Sequence, residues 1–183
     1  MTPVLQQLIA ITAAPLKAVE TQFAVDSSGF RTRSFGAYAE NKYGLKQSHK
    51  WLKAHVCVGT KTNIVTAIKI TEENGADSPE FIPLVQKTAQ SGFNLQEVSA
   101  DKAYSSRQNL EFIEGLNATA YIPFKSNTTG KPHGSYIWRK MFHYFEYNKE
   151  EFLQHYHKRS NVETTFSAVK KKLGEALISN TYI

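Results

Sequence analysis

Two neighbouring runs, WLKAHVCVGT (51–60) and NIVTAIKIT (63–71), constrain this chain more than any other feature. Both are rich in β-branched residues and both lack proline. They are joined at Lys61-Thr62-Asn63, which predicts a β-hairpin. A hairpin commits the fold to a sheet with an antiparallel pair. TQFAVDSSGF (21–30) precedes it as a further β-prone run, expected to stop at Asp26-Ser27-Ser28-Gly29. Helical and strand patterns alternate after it. ADSPEFIPLVQKTAQSG (76–92) reads as a helix with Ser78 as N-cap, Pro79 in its first turn and Gly92 near its end. LQEVSADKAY (95–104) is a short strand running into Asp101, and SSRQNLEFIEGL (105–116) a helix with a Ser105/Gln108 capping box. ATAYIPF (118–124) is a fifth strand, and KSNTTGKPHGS (125–135) the most loop-like segment. The remainder reads as helical, with Asn148 and Glu151 as a capping box opening the last helix.

Three strands joined without helices, followed by alternating helices and strands, predict an α/β fold. The expected sheet is mixed and five-stranded, flanked by helices, with the first three strands antiparallel and the last two parallel through right-handed crossovers. At 183 residues the chain is long enough for one domain with a real core. PVLQQLIAI (3–11) reads as an amphipathic helical piece, so residues 1–20 are expected to be a helical remnant and 21–183 the core. The N-terminal stretch from Met1 to Leu16 is uncharged, but it is too short to span a bilayer and no basic segment precedes it. The expected location is therefore cytoplasmic, with no membrane partner. A single cysteine, Cys57, excludes a disulfide framework and a cysteine-rich zinc site. His155 and His157 fall on different sides of a helix and do not make a zinc site either.

The net charge of +6 favours a polyanionic partner, of which nucleic acid is the commonest. Against that background three acids draw the eye. Asp26 and Asp101 are read at strand ends, where sites are built in open sheets, although such aspartates are more often turn formers or caps. Glu163 is the only acid in YHKRSNVETTFSAVKKKLG (156–174). At about 100° per residue, Tyr156, Arg159, Glu163 and Lys170 fall within roughly 60° of one another on a helix. Val162, Phe166, Val169 and Leu173 make an adjoining apolar stripe expected to pack on the sheet. An Arg159–Glu163 ion pair at i,i+4 would explain part of this face. Three convergent carboxylates repel unless cations neutralise them, and all-oxygen ligation suits Mg²⁺ or Mn²⁺. Two such ions would serve phosphodiester displacement, with Arg159, Lys170 and Lys102 supplying charge to the phosphates. KYGLKQSHKWLK (42–53) adds Lys42, Lys46, Lys50 and Lys53 interleaved with Tyr43, His49 and Trp51, a pattern suited to tracking phosphates and stacking on a base. IWRKMFHYFEY (137–147) is aromatic at helical spacing and is read as core.

With these residues in place, the sequence resembles the DDE transposases of bacterial insertion sequences, in particular the group with a Y-x2-R-x3-E-x6-K signature. That signature reads Tyr156, Arg159, Glu163 and Lys170 here. FAVDSSGF resembles the segment of the first Asp and SADKAY that of the second. The resemblance covers roughly Thr21 to Leu173 and implies a ribonuclease-H-like fold. It also implies catalysis and metal binding by Asp26, Asp101 and Glu163, with two Mg²⁺ ions, or Mn²⁺ as substitute. The reaction implied is hydrolysis of DNA at transposon ends followed by strand transfer from the freed 3′-OH. Tyr156 and Arg159 would contact DNA backbone, and Lys170 the terminal DNA. The partner implied is double-stranded DNA, at transposon ends and target, with a homodimer in the DNA complex left open. Family members carry an N-terminal DNA-binding region and a longer C-terminal helical part, so the chain reads as a core shortened at both ends. Two other readings share its features: an inactive DNA-binding transposase remnant, and a repair or recombination nuclease on the same fold.

Overall fold

The computed structural model describes residues 3–33, 51–72, 74–131 and 133–178. Strand β1 (Gln22–Arg33) pairs antiparallel with β2 (Trp51–Gly59), which pairs antiparallel with β3 (Val65–Glu72). On its other side β1 runs parallel to β4 (Glu97–Ala100), and β4 parallel to β5 (Thr119–Tyr121). The order is β3-β2-β1-β4-β5, the mixed sheet expected. A sixth short strand, β6 (Ala176–Ile178), was not expected; it lies parallel to the far end of β1, Arg31 to Arg33. Gly174, at φ 84°, ends the preceding helix and turns the chain toward that edge, a conformation that glycine adopts without steric cost.

Helix α1 (Pro3–Ala13) precedes the sheet, α2 (Ser78–Gln90) links β3 to β4, and α3 (Arg107–Gly115) links β4 to β5. Helices α4 (Tyr136–Tyr147), α5 (Lys149–Tyr156) and α6 (Ser160–Leu173) follow β5. Strand alternation sends Phe23 and Val25 into one core with Cys57, Phe81, Leu84 and Ile113. Ala24 and Phe30 go to the opposite face, in a second core with Val56, Val58, Val162 and Phe166. Both faces of the sheet are thus covered, and α6 covers the face from which Asp26 projects. The aromatic stretch of α4 is core as read: Ile137, Trp138 and Met141 are buried, and Trp138 meets Phe124 edge to face.

Asn148 opens α5 as its N-cap but makes no side-chain capping bond, so the capping box with Glu151 is not formed, and four further local expectations need correction. First, β1 does not stop at Asp26–Gly29 but continues to Arg33. Its Ser-Ser-Gly segment has poor strand propensity, yet β2 pairs with it residue for residue from Phe23↔Gly59 to Arg31↔Trp51. Gly29 serves the pairing, because a Cβ there would stand only 3.3 Å from the Trp51 ring. Second, α2 is capped by Asp77, not Ser78, and without a side-chain capping bond. The Asp77 carboxylate is already engaged by Lys53 and Ser27, and the Ser78 hydroxyl accepts from Asn109.

Third, α3 is capped by Ser106, whose Oγ accepts from the Asn109 N–H at 3.1 Å, not by Ser105. Fourth, the last helix is not continuous: a 3-10 turn at His157–Arg159 separates α5 from α6. That tighter winding brings i and i+3 onto one line. Across this junction His155 of α5 and Lys158 of the turn both bind Glu97 Oε2, at 2.9 and 3.0 Å. The apolar stripe of α6 is buried only in its first half: Phe166 is 9% exposed, whereas Leu173 is 76% exposed.

Candidate active site

The site begins with a gap in the sheet. The parallel pairing of β1 with β4 ends at Val25↔Ala100, and the pairing with β6 begins only at Arg31↔Ala176. Among the described residues, the Asp26–Phe30 edge of β1 therefore has no strand beside it. Asp26 and Asp101 are the next residues after the last β1–β4 pair. They stand at the mouth of this notch on strands about 4.8 Å apart. Asp26 is thus inside a strand rather than at its end, as first read; what ends beside it is β4. Glu163 comes from the first turn of α6, the helix whose Val162 and Phe166 pack on Ala24 and Phe30 of β1.

Arg159, the last residue of the 3-10 turn, ties two of the acids together. Its Nη1 donates to Asp26 Oδ2 and its Nη2 to Glu163 Oε1, both at 2.6 Å. The i,i+4 pair read from the sequence is present, but it is half of a bridge whose other half lies 133 positions away. Such short charge-assisted bonds are the strong kind. Arg159 is 15% exposed and Asp26 18% exposed, while Glu163 opens to solvent at 56%. The guanidinium also lies 5.7 Å from the centre of the Tyr156 ring. Asp101 is extended, and its Oδ1 accepts from the Ala103 N–H at 3.2 Å, capping the turn that carries exposed Lys102.

The electrostatics of Asp26 register this crowding. Burial pushes its carboxyl pKa up; the Ser27 N–H, which donates to Oδ1 at 2.9 Å, and the Arg159 guanidinium pull it down; Asp101 and Glu163 push it up again. The net direction is upward. Asp26 therefore feels both of the other acids. The donor set of the three, hard carboxylate oxygens only, fits a divalent cation such as Mg²⁺ or Mn²⁺. As the side chains stand, with Arg159 between two of the acids, no three His, Cys, Asp or Glu among the described residues could hold an ion.

The other expected site residues divide into two groups. Lys170, two turns beyond Glu163, extends its ammonium over the Phe30 ring at 5.3 Å, on the acid face. Trp51 and Lys53 fall on the opposite face of β2, in register with Arg31 and Gly29. Arg31 stacks 5.3 Å from the Trp51 ring, and Lys53 Nζ lies 2.6 Å from Asp77 Oδ1. Lys50, with Lys42, Tyr43, Lys46 and His49, lies outside the described residues.

Residue-level reading missed the network beneath the acids. Ser27 Oγ donates to Asp77 Oδ1 at 2.9 Å, and Asp77 also takes Lys53. Buried His55 bonds Thr71 Oγ1 through Nε2 at 2.9 Å, with Nδ1 3.5 Å from Asp77. The acidic residue just before Ser78-Pro79 was the available signal for Asp77. Nothing local pointed to Glu97 as the anchor of His155 and Lys158.

In backbone trace the chain is similar to the catalytic domain of Mos1 mariner transposase, at 8% identity and TM-score 0.38, covering 97% of each chain. It is similar to the Mos1 transposase in a paired-end complex with the left transposon end, at 9% identity and TM-score 0.39, covering 93% of this chain and 60% of that one. A chain of the simian T-cell lymphotropic virus intasome, in complex with PP2A regulatory subunit B56 gamma, matches at 12% identity and TM-score 0.37, over 82% of this chain and 48% of that one. The chain thus spans about half of the intasome chain and three-fifths of the Mos1 chain. The family model of the transposase DDE domain matches residues 17–181, a span that contains Asp26, Asp101 and Glu163. With nearly its whole length so matched, the chain belongs to the transposase DDE domain family.

Proposed function

We propose that this chain is the catalytic core of a transposase of the insertion-sequence type, in which Asp26, Asp101 and Glu163 carry out metal-dependent DNA strand cleavage and transfer. The observation that supports it most is the Arg159 bridge: one guanidinium reaches Asp26 and Glu163 at once, beside Asp101 in the β1 notch. The bridge draws an acid of the central strand and an acid of α6 together, and Asp101 follows the last residue of β4 that pairs with β1.

The proposed roles follow from these positions. Asp26, Asp101 and Glu163 would hold Mg²⁺ or Mn²⁺, two ions in all; when bound, the metal supplies an activated attacking oxygen and neutralises charge on the leaving one. Asp26, fixed by the Ser27 N–H and half-buried, would set the position of the reacting phosphate. Glu163, the most exposed acid, would approach it from the DNA side. Arg159, Lys102 and Lys170 would bind the phosphates flanking the scissile bond, and the Tyr156 ring would back the Arg159 guanidinium. Trp51 and Lys53, on the sheet face opposite the acids and engaged with Arg31 and Asp77, would meet DNA away from the acid centre, with Lys50 as a further phosphate contact.

In the cleavage step a water oxygen bonds to phosphorus, the P–O3′ bond breaks and the 3′-oxygen leaves as a hydroxyl. In strand transfer that 3′-OH attacks a target phosphodiester, so one P–O bond is exchanged for another and no further energy source is needed. The partner is double-stranded DNA. Among the described residues no helix is long and apolar enough to cross a membrane.

The deciding experiment incubates the protein with transposon-end and supercoiled DNA in Mg²⁺ or Mn²⁺, beside Asp26→Asn, Asp101→Asn and Glu163→Gln. Nicked and joined products from wild type alone are the expected result. Cleavage that survives all three substitutions would remove the acids from the reaction. Salt-dependent binding with no product would favour an inactive DNA-binding remnant, and cleavage without joining a repair-type nuclease.

A further inference from the structure

The Arg159 guanidinium occupies the oxygens that the proposed reaction needs free. Asp26 Oδ2 and Glu163 Oε1 are each 2.6 Å from one of its nitrogens, so a divalent cation seeking those two atoms must displace it. Of the other nearby cations, Lys158 is bound to Glu97 and Lys170 lies over Phe30, while Lys102 is exposed on the turn after Asp101 and forms no ion pair with Asp26 or Glu163. Arg159 is therefore the counter-ion of this centre among the described residues. A guanidinium fork has two good kinds of partner, carboxylates and phosphates. Arg159 is 15% exposed and its partner Glu163 56% exposed, so the Glu163 side is the one that faces solvent. The long side chain starts from the last residue of a 3-10 turn at a helix junction.

We infer that Arg159 is a latch that makes metal binding depend on DNA. In the free protein it fills the acid centre and weakens divalent-cation binding; a DNA phosphate draws the guanidinium off the carboxylates and opens them to metal. This inference rests on the proposed reading of the acids and of DNA as partner. Coupling between two sites is reciprocal, so metal must tighten DNA binding by the factor by which DNA tightens metal binding. Couplings of this kind are typically about 5- to 150-fold.

The test has two arms on the full chain. In one, Mn²⁺ binding to DNA-free protein is followed by the loss of the free Mn²⁺ electron paramagnetic resonance signal. In the other, the affinity for a short labelled duplex is measured by fluorescence anisotropy at constant ionic strength, with and without Mn²⁺. Wild type should bind Mn²⁺ weakly alone and bind the duplex about tenfold tighter when Mn²⁺ is present. Arg159→Gln should bind Mn²⁺ about tenfold tighter without DNA, and its duplex affinity should respond little to Mn²⁺. Arg159→Lys keeps the charge but cannot span both carboxylates; it should lie between the two, and it decides the matter if the Gln variant unfolds. Equal Mn²⁺ affinity in wild type and both Arg159 variants would overturn the latch. Asp26→Asn separates the two levels: if it binds Mn²⁺ as wild type does, the acid-centre reading itself has failed. If it loses Mn²⁺ while the Arg159 variants match wild type, only the latch has failed.

Discussion

At Asp26 the demands of folding and of the proposed chemistry oppose each other, and the conflict is measurable. Its pKa is raised in the folded state, so its ionisation costs stability: the contribution is favourable below the ordinary carboxylate value and is lost as pH rises through the raised one. Asp26→Asn, which imitates the neutral acid, should therefore unfold at the same temperature as wild type or a few degrees above it at neutral pH, even while losing activity. A clear drop in melting temperature, read by circular dichroism, would mean that the Arg159 pair outweighs burial. His55 behaves differently. Burial, opposed by Asp77, lowers its pKa, so the unfolded chain binds the proton first as pH falls below about 6.5. Stability should be lower at pH 5.5 than at pH 7.5 by urea denaturation, and His55→Gln should remove part of that difference. Much of this scale was legible in the sequence. The spacing of Tyr156, Arg159, Glu163 and Lys170 singled out the acid, and two further aspartates followed in order. The second carboxylate on Arg159 was not legible, because no local pattern connects residues 133 positions apart.

Helix α6 is the element that brings the third acid to the notch, and it does so with half of its apolar stripe. Val162 and Phe166 are buried against Ala24, Phe30 and Val56, while Val169 and Leu173 are exposed. Phe166→Ala should cost about 3 kcal/mol or more by denaturant titration, and Leu173→Ala less than about 0.5 kcal/mol. Equal costs would mean that the helix packs along its full length. Periodicity gave the stripe but not where the supporting surface ends, since that depends on β1 and β2. The length of β1 was hidden for a similar reason: Ser27-Ser28-Gly29 reads as a turn until its pairing with β2 and the Trp51 ring above Gly29 are known. The hairpin was legible, but its anchor was not. Buried Glu20 accepts from the N–H of Thr62 at 2.5 Å and of Lys61 at 3.3 Å, holding the turn between β2 and β3 from outside the hairpin. Glu20→Ala should destabilise the fold by about 1–3 kcal/mol, because those donors lose a charged acceptor. An unchanged denaturation midpoint would count against that anchoring.

For the molecule as a whole, strand order and charge carry the function. Placing β1 at the centre, with β4 and β6 on the same edge but apart, creates the notch beside Asp26 and Asp101, and Arg159 links Asp26 to Glu163 of α6. Alternating strands and helices allowed the sheet to be read in advance, but β6, a three-residue strand, was too short to show a pattern and therefore the notch did not show either. The +6 charge predicts DNA binding that weakens linearly in log–log form with salt, and Lys170→Ala should reduce that slope by about one. The most direct measurement of the central claim is crystallographic: the full chain with duplex DNA and Mn²⁺, with anomalous scattering used to locate manganese. The account predicts anomalous peaks held between Asp26, Asp101 and Glu163, with Arg159 turned onto a DNA phosphate. Manganese located away from these three side chains, with DNA bound and Arg159 still bridging Asp26 and Glu163, would contradict it.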